Sequence, residues 1–503
     1  MKNLLKYLLL LTLLPILSCE DLDEEVFSEF TTENFYQDAA QLQTQGLSLY
    51  SFRPHSSVIE EWAFQMMTCP NKYFASRDQT YGRFAGYDIS PDNAYNNDLW
   101  RIFFGIIGRA NTIIKYAPES PVNQTLVTHS IAEARFFRAF VYFHITRLWG
   151  EVPLHDEPIE TLDESVLLKS NAPLEDIYAQ IIDDLNFAKE NLPALEWADS
   201  PPGRVLAGAA HQLLGLVYLT MAGEPLNDPN GYQNAIDAIE FLVQNRADYG
   251  LELLTDWKEN FSVDNKINSE KLFSLYSAPQ DTYGSAIPFY STPLFSIGYN
   301  NPFGFGVYCL SYDFYNLFEI NDVRRQDGFI YTYTDAFGET VTYEPGNENA
   351  TNFYGGDNGL CSTKYTDATY AAGVISHTNN IWYMRFVESY LILAEAYMEI
   401  NNLPKARENL NIVRSRVNAS TIDSGTQEQL RQIIREERWR ELHFEMTELY
   451  DIRRWGEVQS NFEEHPLVSK WYPQLSWDEK FLLYPIPSNE TSRNTNIKQN
   501  SGW

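Results

Sequence analysis

The sequence is poor in basic residues, and this shortage excludes two classes of partner. Of its 503 residues, 37 are Lys or Arg and 68 are Asp or Glu, which gives a net charge of −31. Nucleic-acid binding depends on neutralising phosphates and releasing counterions, and this chain has no excess of positive charge for that purpose. Adsorption to anionic lipid is disfavoured for the same reason. A chain this acidic needs another device to stay at a membrane.

Cysteine is also scarce, which argues against a scaffold held by disulfides. There are four cysteines, and those outside the N-terminal segment are Cys69, Cys309 and Cys361. They form no CxxC pair and no cluster with histidine, so they indicate neither a disulfide framework nor a zinc site. One disulfide among the three is open at this point. The favoured interpretation is three buried thiols that pack as small apolar side chains.

Motifs for catalysis and for resident metals are missing as well. The sequence contains no HExxH, no GxSxG and no phosphate-binding loop. Acid pairs are uninformative, because 68 carboxylates place some pair at glycosidase spacing by chance. The stretch Gly355 to Gly359, "GGDNG", lacks the alternating ligands and closing Glu of a calcium loop, so a plain turn is favoured over a calcium site. We predict no catalytic residue, no metal and no cofactor, and a surface glycosidase is the least favoured hypothesis.

The apolar run near the N-terminus is too short to span a membrane. It covers residues 7–17, about half of the ~20 residues that a spanning helix needs. Lys2 and Lys6 precede it, which completes the pattern of a signal peptide. Cys19 follows Ile-Leu-Ser and resembles the cysteine of a bacterial lipobox, whose thiol is acylated; plain cleavage near Ser18 is the alternative. We predict a lipoprotein signal peptide over residues 1–18 and an exported chain anchored through acylated Cys19.

Helical periodicity runs through much of the remaining chain. Apolar residues at three- and four-residue steps predict helices over 98–115, 130–149, 203–223, 385–417 and 426–456. In the last of these, Thr426 and Gln429 match a capping box and Gly456 a helix stop. In 385–417, Pro404 opens the second helix of a hairpin rich in alanine, and 216–242 has a similar pattern. The predicted fold class is mainly α, a tetratricopeptide-like helical array with a large loop-rich half.

Aromatic residues make up 15% of the chain, with 32 Tyr and 30 Phe, and many lie outside these helices. They are dense in 53–97, 283–312 and 330–369, among Pro, Gly, Ser and Asn and without a sustained period. Segments of this length without regular structure are uncommon in compact domains and are often functional. Rings in such loops cannot all face a helical core, so some are expected to form a surface.

Five blocks resemble the SusD/RagB family of outer-membrane nutrient-binding lipoproteins. They are "NFYQDAAQLQTQGLSLYS" (34–51), "EARFFRAFVYFHITRLWGEVPL" (133–154), "RVLAGAAHQLLGLVYL" (204–219), "IREERWRELHFEMTELYDIRRWG" (434–456) and "LLYPIPSNETSRNTNIKQNSGW" (482–503). They occur in the family's order along the whole chain. One departure is that Thr491 and Thr495 stand where Ile and Pro are usual.

The resemblance implies an architecture, a location and a partner. It implies a single body over 19–503, with an N-terminal helical part (about 34–260) that carries the variable loop 53–97, a loop-rich insertion (about 261–378) and a C-terminal helical part (about 379–503). It implies a lipid anchor in the outer membrane facing the exterior, and a TonB-dependent SusC-like transporter as partner. The implied ligand is an oligosaccharide, with peptide or another nutrient as the alternative.

The predicted ligand-binding residues are aromatic, amide and charged side chains of the variable loops. Sugar rings present C–H faces that stack on aromatic rings and hydroxyls that bond to planar polar groups. In the first loop the candidates are Tyr73, Phe74, Arg77 and Asp78; in the second they are Tyr283, Tyr290, Tyr299, Asn300, Asn301 and Tyr308. The resemblance places Tyr308 where similar proteins have a ligand-stacking ring.

Other conspicuous residues are expected to be structural. The charged run "REERWREL", residues 435–442, contains a favourable i,i+4 pair, Glu436 with Arg440, and its alternating charges suit an exposed or inter-helix face. Arg138 and Arg147 are expected to form ion pairs within the scaffold. Three helical tryptophans are expected in the core: Trp149, Trp439 and Trp455.

Overall fold

The structure, a computed structural model, describes residues 36–51, 58–76, 78–197, 202–277, 285–298, 304–342, 360–367 and 377–503. In these residues the α-helices are α1 Ala39–Ser48, α2 Val58–Thr68, α3 Ala94–Tyr116, α4 Gln124–Trp149, α5 Glu164–Leu167, α6 Leu174–Asn191, α7 Ala207–Ala222, α8 Gly231–Gln244, α9 Ile287–Ser291, α10 Tyr312–Tyr315, α11 Val323–Asp327, α12 Val387–Glu399, α13 Leu403–Arg416, α14 Gln427–Leu442, α15 Glu448–Arg454, α16 Val458–Glu464, α17 Pro466–Trp471 and α18 Ser488–Arg493. The strands are β1 Phe74–Ala75, β2 Lys271–Leu275, β3 Ser296–Ile297, β4 Cys309–Leu310, β5 Thr332–Asp335, β6 Thr340–Thr342 and β7 Ile381–Arg385.

The long helices form a continuous array in which each packs on the next. Helix α3 packs on α4, α4 on α6, α6 on α7, α7 on α8, and α8 on α12, which also contacts α13 and α14. Stacked helix pairs joined by short turns are the arrangement of tetratricopeptide-like repeats. The mainly α, tetratricopeptide-like fold predicted from the periodicity is therefore confirmed.

The hairpin of α12 and α13 is the most regular unit of the array. The Asn402 side chain caps α13 by accepting a hydrogen bond from the backbone N–H of Lys405, and Pro404 occupies the first turn, where no N–H is needed. The helices α7 and α8 form a second packed hairpin. Gly215 permits their close approach, because a Cβ there would lie 2.3 Å from Cγ1 of Ile239. Both hairpins lie where the sequence pattern predicted them.

The segment predicted as one helix over 426–456 is divided into α14 and α15. It begins as predicted, since Thr426 and Gln429 form a reciprocal capping box. The chain leaves the helix at 443–447, where Phe444 and Met446 have positive φ values of 62° and 59°. Both of these side chains are buried. Their burial places two large apolar groups in the core that a straight helix would direct elsewhere.

Side chains from a distant segment satisfy the carbonyl groups that this break leaves open. The Lys364 ammonium group donates to the carbonyl oxygens of Glu441 and His443 at 2.7 and 3.0 Å. The hydroxyl of Tyr365 donates to the carbonyl oxygen of Phe444 at 3.0 Å. Buried backbone groups need such partners, so tertiary hydrogen bonds decide where α14 ends. The single-helix prediction was wrong because local periodicity does not register them.

The two arginines predicted to form scaffold ion pairs behave differently. Arg138 donates from Nε and Nη2 to the two carboxylate oxygens of Asp184, both at 2.7 Å, which confirms the prediction for this residue. For Arg147 the prediction was wrong: no carboxylate pairs with it among the described residues. Its guanidinium lies 3.6 Å from the ring centroids of both Phe143 and Tyr450. The negative faces of these rings take the place of a carboxylate.

The three helical tryptophans lie in or against the core. Trp149 and Trp439 are buried. Trp455 is half-buried; it packs on Trp439 with a centroid distance of 5.8 Å and donates its indole N–H to Glu395 at 2.8 Å. The core prediction holds fully for the first two residues, and Trp455 sits at its edge.

A buried ion network joins α14 to the loop-rich part of the chain. Arg324 bonds to Glu437 at 2.7 Å and to Glu441 at 3.0 Å, and Arg385 bonds to Glu441 at 3.0 Å, with all four side chains fully buried. Burial by itself raises the pKa of Glu437, but nearby guanidinium groups, that of Arg324 foremost, lower it to about 2. The charged run on α14 is therefore an inter-element face. The predicted i,i+4 pair, Glu436 with Arg440, is also present at 3.3 Å.

The strands are short and antiparallel, and they organise the loop-rich part. β1 pairs with β4, β2 with β7, and β5 lies between β3 and β6. Cys69, Cys309 and Cys361 are all buried, as expected from the sequence. Among the described residues, no helix combines the length and the apolar character needed to cross a bilayer. The boundaries predicted for the three parts of the body stay predictions.

Candidate ligand-binding surface

Half of the predicted ligand-binding residues can be placed in the structure. The ones that lie outside the described residues are Arg77, Tyr283, Tyr299, Asn300 and Asn301. Cys19, the predicted lipidation site, also lies outside them. The ones that are described are Tyr73, Phe74, Asp78, Tyr290 and Tyr308.

Phe74 and Tyr308 lie inside the protein. Their exposed fractions are 1% and 0%, and the pairing of β1 with β4 brings their rings within 6.3 Å of each other. The Tyr308 hydroxyl accepts a hydrogen bond from the side-chain amide of Gln65 at 2.9 Å, and its ring packs on Phe64 at 4.8 Å. In this structure neither ring offers a face to solvent, and both support the loops above them.

Tyr73 and Tyr290 have intermediate positions. Tyr73 is half-buried and packs edge-on against Trp439 at 5.0 Å, on the side of the helical array. Tyr290, 9% exposed, lies between Tyr308 and Tyr81, with both centroid distances at 5.3 Å. Tyr290 thus connects the buried rings to a more exposed layer.

That more exposed layer consists of half-buried rings from three separate segments. We call it the aromatic strip, and its members are Tyr81, Phe289, Phe305, Trp471 and Tyr472. Phe289 and Phe305 are stacked at 5.4 Å with an interplanar angle of 9°. Tyr81 meets Phe305 edge-on at 5.5 Å. The strip is therefore continuous from the second variable loop to the first.

Two glycines continue the strip toward the C-terminal part of the chain. Gly82 lies beneath the indole of Trp471, and a Cβ at Gly82 would be 2.5 Å from the ring atom Cζ3. Gly86 lies beneath Tyr472 in the same way, with a Cβ at 2.5 Å from ring atoms Cδ2 and Cε2. A side chain at either position would push the ring away, so these glycines allow the two loops to lie against each other.

The loop that carries Tyr81 is anchored from below. Residues Arg83–Gly86 form a single 3₁₀ turn, and Phe84 within it is fully buried. Tyr87, at a φ of 52°, ends this turn and stacks on Phe481 at 5.4 Å. Phe84 and Tyr87 face the core, whereas Tyr81 and Arg83 lie nearer the surface and are half-buried.

A buried histidine positions Trp471 at the end of α17. His465 caps this helix, because its Nδ1 accepts from the backbone N–H of Leu467 at 3.2 Å, and its Nε2 donates to the carbonyl oxygen of Cys69 at 2.9 Å. These roles assign the neutral Nε2–H tautomer. Burial lowers the pKa of His465 to about 4, which keeps the ring neutral at pH 7. Helix α17 is thereby joined to the end of α2.

Polar side chains border the strip on the Tyr81 side. Asp78 is half-buried and its Oδ1 accepts from the backbone N–H of Thr80 at 2.8 Å, while Gln79 and Thr80 are exposed. Arg83 donates from Nε to the carbonyl oxygen of Thr80 at 2.8 Å. Asp78, a predicted ligand-binding residue, is held close to Tyr81 because its backbone carbonyl oxygen accepts from the N–H of Gly82 at 3.0 Å. Carboxylate, amide, hydroxyl and guanidinium groups together offer both donors and acceptors.

The chemistry of this surface is that of binding by stacking and hydrogen bonding. Burial raises the pKa of Tyr472, so its hydroxyl stays protonated at neutral pH. Among the described residues, no group of three or more His, Cys, Asp or Glu side chains is arranged to hold a metal ion. Flat, half-exposed rings beside fixed polar groups suit a ligand with alternating apolar faces and hydroxyls.

None of the five residues of the aromatic strip is among the predicted ligand-binding residues. Tyr81, Phe289 and Phe305 lie in the aromatic-rich loops that were predicted to bind, whereas Trp471 and Tyr472 lie outside them. They begin the stretch "WYPQLSW", residues 471–477, where three aromatic rings occur among Pro, Gln and Ser. That is the same signal that marked the two variable loops. The stretch lies within the predicted C-terminal helical part (about 379–503), for which no ligand-binding residue was predicted.

Two family models match separate parts of the chain. One, described as the SusD family, matches residues 307–503. The other, described as starch-binding associating with outer membrane, matches residues 27–219. Together they include segments from both sides of the aromatic strip, Tyr81 from the second model and Trp471 from the first.

Relatives and solved structures agree with these matches. The chain is 27% identical to SusD-like protein P2 of Formosa agariphila, over 99% of each chain. Its structure is similar to that of a SusD homolog from Bacteroides thetaiotaomicron, with a TM-score of 0.82 at 20% identity over 94% of this chain and 98% of the other. It is also similar to a laminarin-binding SusD-like protein, with a TM-score of 0.75 at 22% identity over 92% and 99% of the two chains.

Proposed function

Because this chain belongs to the SusD/RagB family, we propose that it is a surface lipoprotein that binds oligosaccharides on the aromatic strip. In this proposal it captures a glycan outside the cell and delivers it to a TonB-dependent, SusC-like transporter in the outer membrane. It performs no chemistry on the glycan. Acylated Cys19 holds it at the membrane, a role that its strongly acidic surface could not fill by adsorption.

The aromatic strip is the observation that carries this proposal. Its five half-buried rings come from three segments. Tyr81 and Phe289 both pack on Phe305, and Trp471 and Tyr472 pack against Gly82 and Gly86 in the Tyr81 loop, where Asp78, Gln79 and Thr80 supply polar groups beside Tyr81. A row of rings can stack on successive sugar units, and each stacked ring loses little side-chain entropy because it is already held by its neighbours. An open, hydrated surface of this kind predicts affinities of roughly micromolar or weaker, which suits release to a partner.

One similar structure and one matching family model favour a glycan over a peptide. One similar structure is named for laminarin binding, and one matching family model is described as starch-binding and associated with the outer membrane. Both are consistent with a carbohydrate ligand for the strip and with a location at the outer membrane. The identity of the sugar is left to the binding experiment.

Calorimetry with the full soluble chain, from residue 20 onward, tests the binding site. The probes are maltoheptaose, laminariheptaose and an unrelated heptapeptide. We expect heat of binding with at least one oligosaccharide, and we expect Trp471→Ala to weaken that binding roughly tenfold, equal to about 1.4 kcal/mol. Tyr81→Ala should have a similar effect, because it lies on the same strip.

The matched control is Phe241→Ala. Phe241 is an exposed aromatic residue on α8 that stacks on His211, within the helical array and outside the strip. It should leave the affinity unchanged. Equal affinity in all three variants would remove the strip as the binding site, and binding of the heptapeptide alone would replace the glycan with a peptide.

Product analysis tests the absence of catalysis. The protein is incubated with each oligosaccharide, and the mixture is separated by chromatography. We expect the oligosaccharides to be recovered intact. Cleavage that a single Asp or Glu substitution abolishes would establish a glycosidase and would contradict the proposal.

A further inference from the structure

Two cysteines that are distant in sequence face each other across a strand pair. Leu310 of β4 and Leu360 exchange both of their backbone hydrogen bonds, each at 2.8 Å. They form an antiparallel bridge. The next residues along the two segments, Cys309 and Cys361, are opposite each other, and their backbones exchange no hydrogen bond. Such pairs have Cα atoms about 4.5 Å apart and the closest side chains of the ladder, which lies within the range of about 4.4–6.8 Å that disulfides require.

The side chains are already close to bonding distance. The two Sγ atoms are 3.2 Å apart, and both residues are fully buried. Closing this gap to a bond of about 2.05 Å requires each sulfur to move by roughly 0.6 Å, a side-chain adjustment that needs no backbone shift. The pair lies in a small apolar cluster with Ala75, Ile330 and Tyr333. No bulky group has to leave for the sulfurs to meet.

We propose that Cys309 and Cys361 form a disulfide bond in the mature, exported protein. The proposal rests on the proposed function only for the compartment: a chain carried across the inner membrane reaches an environment where disulfides form and persist. Cys69 lies elsewhere, with its thiol directed at the carbonyl oxygen of Tyr81 at 3.7 Å. Cys19, once acylated, no longer carries a thiol. Cys309 and Cys361 are therefore the pair that can form the bond, and Cys69 is expected to stay reduced.

The reaction is a thiol–disulfide exchange and needs a disulfide oxidant. A thiolate of one cysteine attacks a sulfur of the oxidant, such as glutathione disulfide, and releases one oxidant thiolate. The second cysteine then attacks the mixed disulfide and releases the other. Two protons and two electrons leave the protein, and the oxidant is reduced to two thiols. Because both cysteines are buried in the finished fold, the exchange takes place before the strand pair closes.

The bond would stabilise the segment that it encloses, whose described helices and strands are all short. It links residues 52 positions apart, and a cross-link of that length restricts the unfolded chain considerably. The segment it encloses includes β5 and β6, whose strands are only four and three residues long. It also joins β4, which begins one residue after Tyr308, to the short bridged segment before Lys364, whose ammonium group bonds to the carbonyl oxygens at the end of α14.

Thiol counting on the refolded full chain, from residue 20 onward, tests the proposal. The protein is refolded in a buffer of reduced and oxidised glutathione, unfolded in guanidinium with iodoacetamide and without reductant, and digested for mass spectrometry. We expect Cys69 to be alkylated, and Cys309 and Cys361 to appear in one linked peptide pair whose mass is lower by about 2 Da than the sum of the two thiol peptides. After reduction, all three should be alkylated.

The variant Cys309→Ser provides the matched comparison, because Cys361 should then react without reductant, while Cys69→Ser should leave the linked pair intact. The disulfide should also raise the thermal midpoint relative to the reduced protein. Alkylation of all three cysteines without reductant, or glutathione adducts in place of the link, would overturn the proposal. Calorimetry with oligosaccharides on the same preparation tests the proposed function, and the thiol count tests the disulfide. A protein that binds no sugar can therefore still show the linked peptide pair.

Discussion

At the scale of single residues, Gly82 decides whether the aromatic strip is continuous. The indole of Trp471 lies directly over it, and a Cβ would meet that ring at 2.5 Å. The ring therefore packs against the backbone of Gly82, which limits its movement. An aromatic ring that is held in place before the ligand arrives loses less entropy when it stacks on the ligand.

We predict that Gly82→Val weakens oligosaccharide binding although it removes no aromatic ring. The added side chain would displace the Trp471 indole, and the loss should be comparable to that of Trp471→Ala, roughly tenfold by calorimetry. The control is Gly108→Ala on α3, where nothing lies within 4 Å of the added Cβ. If Gly82→Val bound glycan with the affinity of the parent protein, Trp471 would not belong to the site.

His465 is the second residue whose chemistry can be tested alone. Its pKa is about 4 in the folded protein because burial opposes the charged form, and about 6.5 in the unfolded chain. The unfolded chain therefore takes up the proton first as pH falls. The stability that the neutral ring contributes is complete above about pH 6.5 and is lost between pH 6.5 and 4.

We predict that His465→Asn reduces the loss of stability between pH 7 and pH 5. The asparagine oxygen can still cap α17, but the amide does not titrate. Urea denaturation of both proteins at the two pH values gives the difference, which should amount to about 2 kcal/mol. Identical pH dependence in parent and variant would show that this histidine is not the group that titrates.

At the scale of elements, α14 connects the helical array to the loops that carry the site. Glu441 on this helix pairs with Arg385 at 3.0 Å, with Arg324 at 3.0 Å and with Arg416 at 2.7 Å. The three arginines belong to α11, β7 and α13, so one carboxylate links three elements to α14. Removing one partner from a buried network leaves the others unpaired, which is more costly than the loss of one exposed pair.

We predict that Glu441→Ala lowers the free energy of unfolding by about 3–5 kcal/mol. The matched control is Glu436→Ala on the same helix, which removes only the more exposed i,i+4 pair with Arg440 and should cost about 0.3–0.5 kcal/mol. Urea denaturation monitored by far-UV circular dichroism measures both. Equal losses of unfolding free energy in the two variants would contradict the view that the ion network stabilises the junction between α14 and the loop-rich part.

At the scale of the whole molecule, the anchor and the binding surface are separate devices. The acidic chain, with a net charge of −31, is repelled by anionic lipid, so in our proposal its place at the membrane depends on Cys19. The described part of the chain begins at residue 36, well after that cysteine. Loss of the anchor should therefore leave the glycan surface intact.

We predict that Cys19→Ala moves the protein from the membrane fraction to the soluble fraction without changing its affinity for oligosaccharide. Fractionation followed by immunoblotting measures the first effect, and calorimetry measures the second. Continued recovery of the variant with membranes would contradict lipidation at Cys19. Weaker glycan binding would show that the N-terminal segment contributes to the site.

Local patterns predicted much of the helical array. The period of apolar residues located its main helices, and the capping box at Thr426 and the proline at Pro404 marked helix starts that the structure confirms. These patterns involve residues a few positions apart, so they report only interactions between near neighbours in the sequence. The break at 443–447 escaped them because Lys364, which stabilises it, lies about eighty residues away along the chain.

The sequence by itself determined that aromatic loops would form a surface, but only the tertiary structure decided which rings face solvent. Tyr308, the favoured candidate, is fully buried, and its hydroxyl accepts a hydrogen bond from Gln65, 243 residues away along the chain. Trp471 stands at the surface because the Gly82 backbone supports it. Composition reports how many rings a loop contains. Burial depends on which distant segments pack against them, and that information arises only when the whole chain has folded.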